Sequence, residues 1–285
     1  MIYVLFNPLS NNKKGLMAKE RLELILKNEE LSFTDILSID DYKKFFKKIK
    51  KTDQLILCGG DGTLNRFVND TYDIPKKCSM YFFPQGSGND FARDTENLVE
   101  KENGLIPLND FVKDLPQVSV NGIKKYFLNG IGYGIDGYCC QEGDEKRIKS
   151  NKAVNYTLIA IKGLFFGFHP SNAKVTVDGK TYEFKHVWLA PSMLGKYYGG
   201  GMKVAPNQNR LNSEKKLTLV VWHKSRKLKT LLSFPKIFTG EHINCKNMIS
   251  VFTGHNITVE FDRAQALQID GDTVKNVTSY SVSFE

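Results

Sequence analysis

The chain has 285 residues, of which 41% are hydrophobic, 25% charged and 12% aromatic, enough apolar material for one large core or two modest ones. That balance excludes a largely disordered chain, a collagen-like repeat and a disulfide miniprotein. The net charge of +9 favours anionic partners such as acidic lipid, nucleic acid or phosphate-bearing substrates, although lysines that merely keep a protein soluble give the same number.

The first third of the chain alternates strands and helices. Apolar runs at Ile2–Phe6, Phe33–Ile39, Gln54–Cys58 and Met80–Phe83 read as strands, with helices over Leu16–Lys27, Asp40–Lys51 and Leu64–Asp70. Strands separated by helices of this length imply βαβ units and a mainly parallel, doubly wound sheet. After about Gln117 the rhythm changes. Short alternating segments at Lys174–Asp178, Tyr182–Leu189, Leu217–Trp222, Ile257–Phe261 and Tyr280–Phe284 are punctuated by Asp-Gly turns at 178–179 and 270–271. They predict an antiparallel β-sandwich or barrel, interrupted by helical insertions at Ala153–Phe166 and Leu228–Phe238. The expected organisation is an α/β domain over residues 1–118 and a β-sandwich domain over 119–285.

The five cysteines, Cys58, Cys78, Cys139, Cys140 and Cys245, are odd in number and lack a C-x-x-C spacing. They read as reduced thiols in a cytosolic compartment, without a cysteine metal site. The opening MIYVLFNPLS has no basic leader, and no apolar stretch approaches the roughly 18 residues of a membrane span. A cytoplasmic location is therefore expected.

Three turns carry the chemistry. In LILCGGDGTLNRFVND, residues 55–70, a buried strand runs into Gly59-Gly60-Asp61-Gly62-Thr63 and a helix starts at once. Glycines let backbone approach a ligand closely, and the free N–H groups of a helix start suit phosphate. Asp61 would repel phosphate unless a cation sits between them, which points to magnesium. A second strand, MYFFP, enters Gln85-Gly86-Ser87-Gly88-Asn89-Asp90. There Ser87 can bond a phosphate oxygen, or simply fill the turn while Asn89 and Asp90 cap a helix. Turns from neighbouring parallel strands converge at the carboxyl edge of the sheet, where α/β folds bind ligands. The third turn is Asn7-Pro8-Leu9-Ser10-Asn11 with Lys13 and Lys14 beside it. It offers amide, hydroxyl and cation to a nucleotide, or is a plain Asn-Pro turn.

The combination resembles the diacylglycerol kinase catalytic-domain family, most closely its soluble bacterial lipid kinases. The strings that carry the resemblance are NPLS, GGDGTLN, FPQGSGNDFAR, NGIGYGID, LGKYYGGGMKVAP at 194–206 and IDGD at 269–272. They extend over essentially the whole chain. GGDGT alone is shared with NAD kinases and phosphofructokinase-like enzymes, and GSGNDFAR narrows the match. The resemblance implies an NAD kinase/phosphofructokinase-like α/β domain followed by a β-sandwich, with the active site in the cleft. It implies ATP against Asn7, Pro8, Leu9, Ser10, Asn11 and Lys14, against Gly59, Gly60, Asp61, Gly62, Thr63, Leu64, Asn65 and Arg66, and against Ser87, Gly88 and Asn89. Asp61 would lie near Mg2+.

The resemblance also implies that the I-D-G-D turn supplies the base. Relatives mostly read D-G-E there, so Asp272 stands for a glutamate, with Asp270 orienting it or binding metal. Without the family the same residues are a hairpin turn. Relatives commonly carry an Asp-Asp-Gly string that helps hold a structural magnesium; here the stretch is Leu211-Asn212-Ser213-Glu214-Lys215-Lys216. They also tend to be acidic where Arg66 stands.

The function so implied is transfer of the γ-phosphate of ATP to the hydroxyl of diacylglycerol or a similar lipid. The alternatives are a kinase of a soluble hydroxyl substrate such as NAD, or a catalytically weak nucleotide- or lipid-binding regulator. The expected partner is lipid at an anionic membrane surface, met peripherally. Leu164, Phe165, Phe166 and Phe168 offer an apolar lip or a core cluster. Lys43–Lys51, with six lysines around an apolar stripe, offers a basic docking helix or a solvated face. No RNA-binding signature accompanies the charge, so nucleic acid is not expected. The oligomeric state is left open, a homodimer among the options.

Overall fold

The computed structural model describes residues 1–10, 15–99, 103–149, 156–163 and 167–284. They form two compact units, Met1–Leu115 and Pro116–Glu285.

In chain order the first unit contains β1 (Ile2–Phe6), α1 (Gly15–Ile25), β2 (Leu31–Asp35), a 3-10 turn (Ile36–Ser38), α2 (Tyr42–Lys47) and β3 (Gln54–Gly59). It continues with α3 (Asp61–Thr71), β4 (Ser79–Pro84), α4 (Asp90–Asp94), β5 (Ile106–Pro107) and α5 (Asn109–Val112). The sheet order is β2-β1-β3-β4-β5. β1 to β4 are parallel, and β5 closes the edge antiparallel to β4. Residues 55–59 of β3 are all buried, as a central strand covered on both faces requires. One face packs Val4, Ile56 and Cys58 against Ala18 and Leu22 of α1. Elsewhere in the unit Phe82, Phe91 and Phe111 stack edge to face, with ring centroids 5.8 and 5.5 Å apart. Because β3 and β4 are adjacent and parallel, their glycine turns emerge side by side.

Local capping moves two expected boundaries. The strand expected over Phe33–Ile39 stops at Asp35, whose carboxylate accepts from Leu37 N at 2.9 Å and starts the 3-10 turn. The helix expected from Asp40 begins at Tyr42, because Asp41 caps Lys44 N at 3.0 Å.

The second unit contains β6 (Gln117–Val120), β7 (Ile123–Tyr126), β8 (Gly130–Tyr133), α6 (Ile135–Lys149), α7 (Tyr156–Lys162), β9 (Ser171–Val177), β10 (Lys180–Val187) and β11 (Ser192–Met193). It ends with β12 (Leu217–Trp222), α8 (Lys227–Ser233), α9 (Lys236–Thr239), β13 (Ile249–Gly254), β14 (Asn256–Ile269) and β15 (Asp272–Ser283). The sheet runs β13-β12-β11-β8-β14-β15-β6-β7, with β9 also on β14 and β10 outside β9. Its ladders are antiparallel.

β14 serves two neighbours. Ile257–Phe261 pairs with β9, Leu267–Ile269 pairs with β8, and the register slips between Glu260 and Leu267. Such a bulge bends a long strand and lets it belong to two layers. The burial pattern changes with it, from alternating in the first half to continuous over Ala266–Ile269. The covering element there is α6: a Cβ on Gly137 would fall 1.9 Å from the Ala266 carbonyl oxygen. The core gathers around Trp188 and Trp222, with Leu189, Val204, Val220 and Ile237. Both indoles are anchored on Ser225, at its carbonyl (2.9 Å) and its hydroxyl (3.0 Å).

Two helical expectations change. Leu228–Phe238 is two helices, since Pro235 removes a donor and restarts the chain as the N-cap of α9. Of Ala153–Phe166, the described part is helical over Tyr156–Lys162.

Candidate active site

The glycine turns are built against each other. Gln85 N donates to the Gly59 carbonyl at 2.7 Å, continuing the β3–β4 ladder past the strand ends. A Cβ on Gly60 would come 3.0 Å from Gly86 Cα, and one on Gly86 would come 2.7 Å from Gly60 Cα. The close approach that these glycines permit is therefore made to one another, two backbones in contact with no side chain between.

Asp61 locks the pair. One carboxylate oxygen accepts from Asp90 N at 3.1 Å and the other from Phe91 N at 2.9 Å, so the first residue of α3 caps α4. Asn89 and Asp90 were expected to do that from within. Instead Asn89 sits in the left-handed region at φ 53° without a side-chain cap bond, and its Oδ1 turns back to accept from Gly86 N at 2.9 Å. The capping acceptor comes from a different element, 29 residues away in sequence.

The first turn joins the same assembly. Asn7 Oδ1 accepts from Leu9 N at 2.9 Å, its carbonyl accepts from Ser10 Oγ at 2.8 Å, and its Nδ2 donates to Thr63 Oγ1 at 2.9 Å. The turn reading and the site reading of Asn7 thus coincide: it folds its own loop and ties it to α3. Gly60 gives α3 no side-chain cap, so among the described residues the first-turn amides of this eleven-residue helix have no side-chain acceptor. Beside them is a cavity of about 130 Å³ lined by Asn7, Leu37, Tyr42, Gly62, Thr63 and Arg66 among others. Nothing lies within 4 Å of where a Gly62 Cβ would be. Arg66 is ion-paired with Asp70 at 3.6 Å. Burial and the Asp70 charge push the Tyr42 hydroxyl up to about 12, so it stays a neutral hydrogen-bonding group there.

The remaining nucleotide residues separate. Leu64 of α3 is fully buried, so only its backbone is placed to take the expected part against ATP. Asn65 is buried as well, its Oδ1 accepting from Asn69 Nδ2 at 3.3 Å. Leu9 and Ser87 are exposed, and Pro8 and Gly88 half-buried. Asn11 and Lys14 lie outside the described residues.

In the second unit Asp270 and Gly271 take φ of 46° and 97°, the paired left-handed conformations of a two-residue hairpin turn. The Asp270 carboxylate accepts from three consecutive amides, Leu128 at 2.5 Å, Asn129 at 2.8 Å and Gly130 at 2.9 Å. It clamps the strand-entry segment of β8. Buried Arg210 holds the same segment from its other groups, donating to the Leu128 carbonyl at 3.1 Å and Asn129 Oδ1 at 3.0 Å. Asp272 is exposed and ion-paired with Lys125 of β7. Thr273 beside it donates to Asp144 of α6 at 2.7 Å.

Sequence reasoning passed over Asp136, at the end of NGIGYGID. It is buried in α6 and accepts from the Tyr198 hydroxyl. Burial pushes its carboxyl up to about 7, against the pull of that hydrogen bond. The signal available was the acid itself, following a glycine at a helix start inside a recognised string.

The two implied magnesium sites fare differently. Asp61 uses one acceptor position on each oxygen, and an ionised carboxylate has about four. As a hard oxygen donor it fits a magnesium ion. In the Asn207–Lys216 loop Asn212 Nδ2 donates to the Asn209 and Lys216 carbonyls at 2.7 and 3.1 Å, and its Oδ1 accepts from Lys216 N at 2.7 Å. An N–H donor facing two carbonyls occupies the role a cation would play, so this stretch does not fit a structural magnesium. Among the described residues no three His, Cys, Asp or Glu side chains converge as a metal group.

Of the four residues offered as an apolar lip or a core cluster, Leu164, Phe165 and Phe166 lie outside the described residues. Phe168 is core, buried with its ring 6.0 Å from that of Trp188. No described helix is long and apolar enough to cross a membrane.

Residues 1–115 match the family model described as the diacylglycerol kinase catalytic domain, and residues 129–281 match the YegS C-terminal NAD kinase beta sandwich-like domain. The two matches, one on each unit, place the chain in the kinase class. The chain belongs to the diacylglycerol kinase catalytic-domain family. YtlR of Bacillus subtilis, which bears a lipid-kinase name, is 26% identical over 285 residues, 90% of this chain and 88% of YtlR. A diacylglycerol kinase of Mycobacterium tuberculosis is 25% identical over 253 residues, 85% of this chain and 79% of the relative. The crystal structure of a diacylglycerol kinase from Bacillus anthracis shares the fold, with a TM-score of 0.62 at 18% identity, over 99% of this chain and 93% of that one.

Proposed function

We propose that the protein is an ATP-dependent lipid kinase that transfers the γ-phosphate to the hydroxyl of diacylglycerol or a similar lipid. The observation that carries this reading is the interlocked pair of glycine turns, Gly60 on Gly86, at the uncapped start of α3. Backbone amides fixed by their own fold suit an anionic group, and phosphoryl transfer asks chiefly for positioning and charge neutralisation. The relatives' names support the lipid as acceptor.

Asn7, Tyr42, Thr63 and Arg66 receive the nucleoside in the cavity, and the amides after Gly60 and Gly86 receive its phosphates. Asp61 would hold magnesium, whose chemistry is to neutralise charge on the phosphates. Asp272 takes the hydroxyl proton, a service worth about 10²–10⁴ in rate. Asp270 acts as a positioning residue, fixing the hairpin on which Asp272 stands. Lys125 holds the Asp272 carboxylate by its ion pair.

The test is transfer of radiolabel from ATP into a panel of extracted lipids. Label in the lipid phase is the expected result. Label on a soluble acceptor such as NAD, or nucleotide binding without turnover, would replace this reading by one of the two alternatives.

A further inference from the structure

The segment from His223 to Gly240 reads HKSRKLKTLLSFPKIFTG and carries five cations, Lys224, Arg226, Lys227, Lys229 and Lys236, with no carboxylate. Its inner side is well anchored. Thr230 and Ile237 are buried, and Leu231 and Phe234 pack on the Trp222 cluster. Thr230 and Ser225 share a hydroxyl–hydroxyl bond of 2.6 Å. The outer side is different: Leu228 is 65% exposed, Leu232 71% and Phe238 45%. Leu228 and Leu232, four apart, share one face of α8. The ring of Phe238 extends the surface from α9, 6.4 Å from that of Phe234.

We propose that α8 and α9 form the surface through which the protein docks on an anionic lipid bilayer. Large apolar side chains held outward on a rigid base, with cations around them, match the acyl boundary and the charged headgroups together. Lysine stems can lie along the apolar layer while their ammonium groups stay at phosphate level. A second copy of the chain fits less well, because a self-complementary contact would set these five cations against their own copies. Nucleic acid offers its phosphates but no seat for the leucines. The Lys43–Lys51 segment is more densely basic yet lacks the apolar half, since Phe46 and Ile49 are buried. The proposal rests on the lipid-kinase reading only for its purpose, which is to bring the enzyme to a membrane-resident substrate.

Sedimentation with vesicles, without nucleotide, tests it. Wild type should bind phosphatidylcholine vesicles containing phosphatidylglycerol, and bind them at least about tenfold less as salt rises from about 50 to about 500 mM. Leu228→Ser with Leu232→Ser should lose at least about tenfold in binding, with an unchanged circular dichroism spectrum because both side chains are exposed. Lys227→Gln with Lys229→Gln and Lys236→Gln should lose a similar amount. Lys43→Gln with Lys44→Gln and Lys47→Gln should lose less than about twofold. Unchanged binding in the leucine variant overturns the proposal. So does a leucine variant that keeps vesicle binding but passes from dimer to monomer, which would make the face a contact between copies. Transfer to a soluble short-chain diacylglycerol should be unaffected by the leucine changes. If wild type phosphorylates no lipid while vesicle binding still depends on the leucines, the docking surface stands and the kinase reading falls.

Discussion

Asp61 in the first unit and Asp272 in the second are both carboxylates at turns, and the molecule holds them in opposite ways. Asp61 has each oxygen on a backbone amide of α4, so its position is fixed by the fold of two adjoining turns. Asp272 is exposed on a hairpin with Lys125 at its side, while its neighbour Asp270 makes the backbone bonds. On the roles proposed for them, the difference is a division of labour. Groups that receive phosphate gain from preorganisation, because rigid amides need not reorganise as charge develops. A group that takes a proton must instead be reachable.

The largest effect should come from breaking the contact on the Asp61 side. Gly86→Ala would place its Cβ 2.7 Å from Gly60 Cα and 2.9 Å from Asn89 Oδ1, so the two turns must separate. Phosphate transfer should be abolished in steady-state assays, since misplacement by a single ångström already costs about a hundredfold. Gly60→Ala should act in the same direction, with the protein still folded.

Asp61→Ala comes next. It should abolish measurable turnover and also lower stability by about 1–3 kcal/mol, because two amides lose their acceptor. A urea titration reads the second effect. Lost turnover at full stability would leave Asp61 with a metal role and no structural one.

On the other side of the comparison, Asp272→Asn should reduce transfer by about 10²-fold with ATP affinity and stability almost unchanged, the latter within about 0.5 kcal/mol for an exposed side chain. Asp272→Glu should retain activity or raise it. A normal rate in Asp272→Asn would show that the base is elsewhere and that the hairpin is only a turn.

The smallest effect concerns pH. Asp136 is raised to about 7 by burial, so the folded state binds a proton that the unfolded chain releases near pH 4. The stabilisation is complete below pH 4 and is lost as pH rises through about 7. Asp136→Asn keeps an acceptor for Tyr198 and should flatten thermal stability over that interval. A slope unchanged from wild type would assign it to other groups.

Much of this was legible in local sequence. The apolar runs of β1, β3 and β4 and the two glycine turns are short-range signals, and they landed where the pattern put them. The partners were less visible. That Asp61 caps α4 depends on two turns meeting in space, and that Asp270 rather than Asp272 clamps the backbone depends on residues some 140 positions upstream. Helix α6 escaped notice because Gly137 and Gly143 interrupt its pattern, and Gly137 is there for packing against β14. Pro235 was a readable break within Leu228–Phe238. Leu64 belongs to the motif string, but string membership does not say which way a helix turns a side chain.

The amide-tied loop at Asn212 bears on how the protein is made. Where a loop is closed by an ion, a newly synthesised chain must capture that ion before its domain is finished, and folding becomes a two-component reaction. Here the closing group is encoded in the chain and arrives with it. This loop should then close in the presence of a chelator, with no divalent ion of its own to wait for.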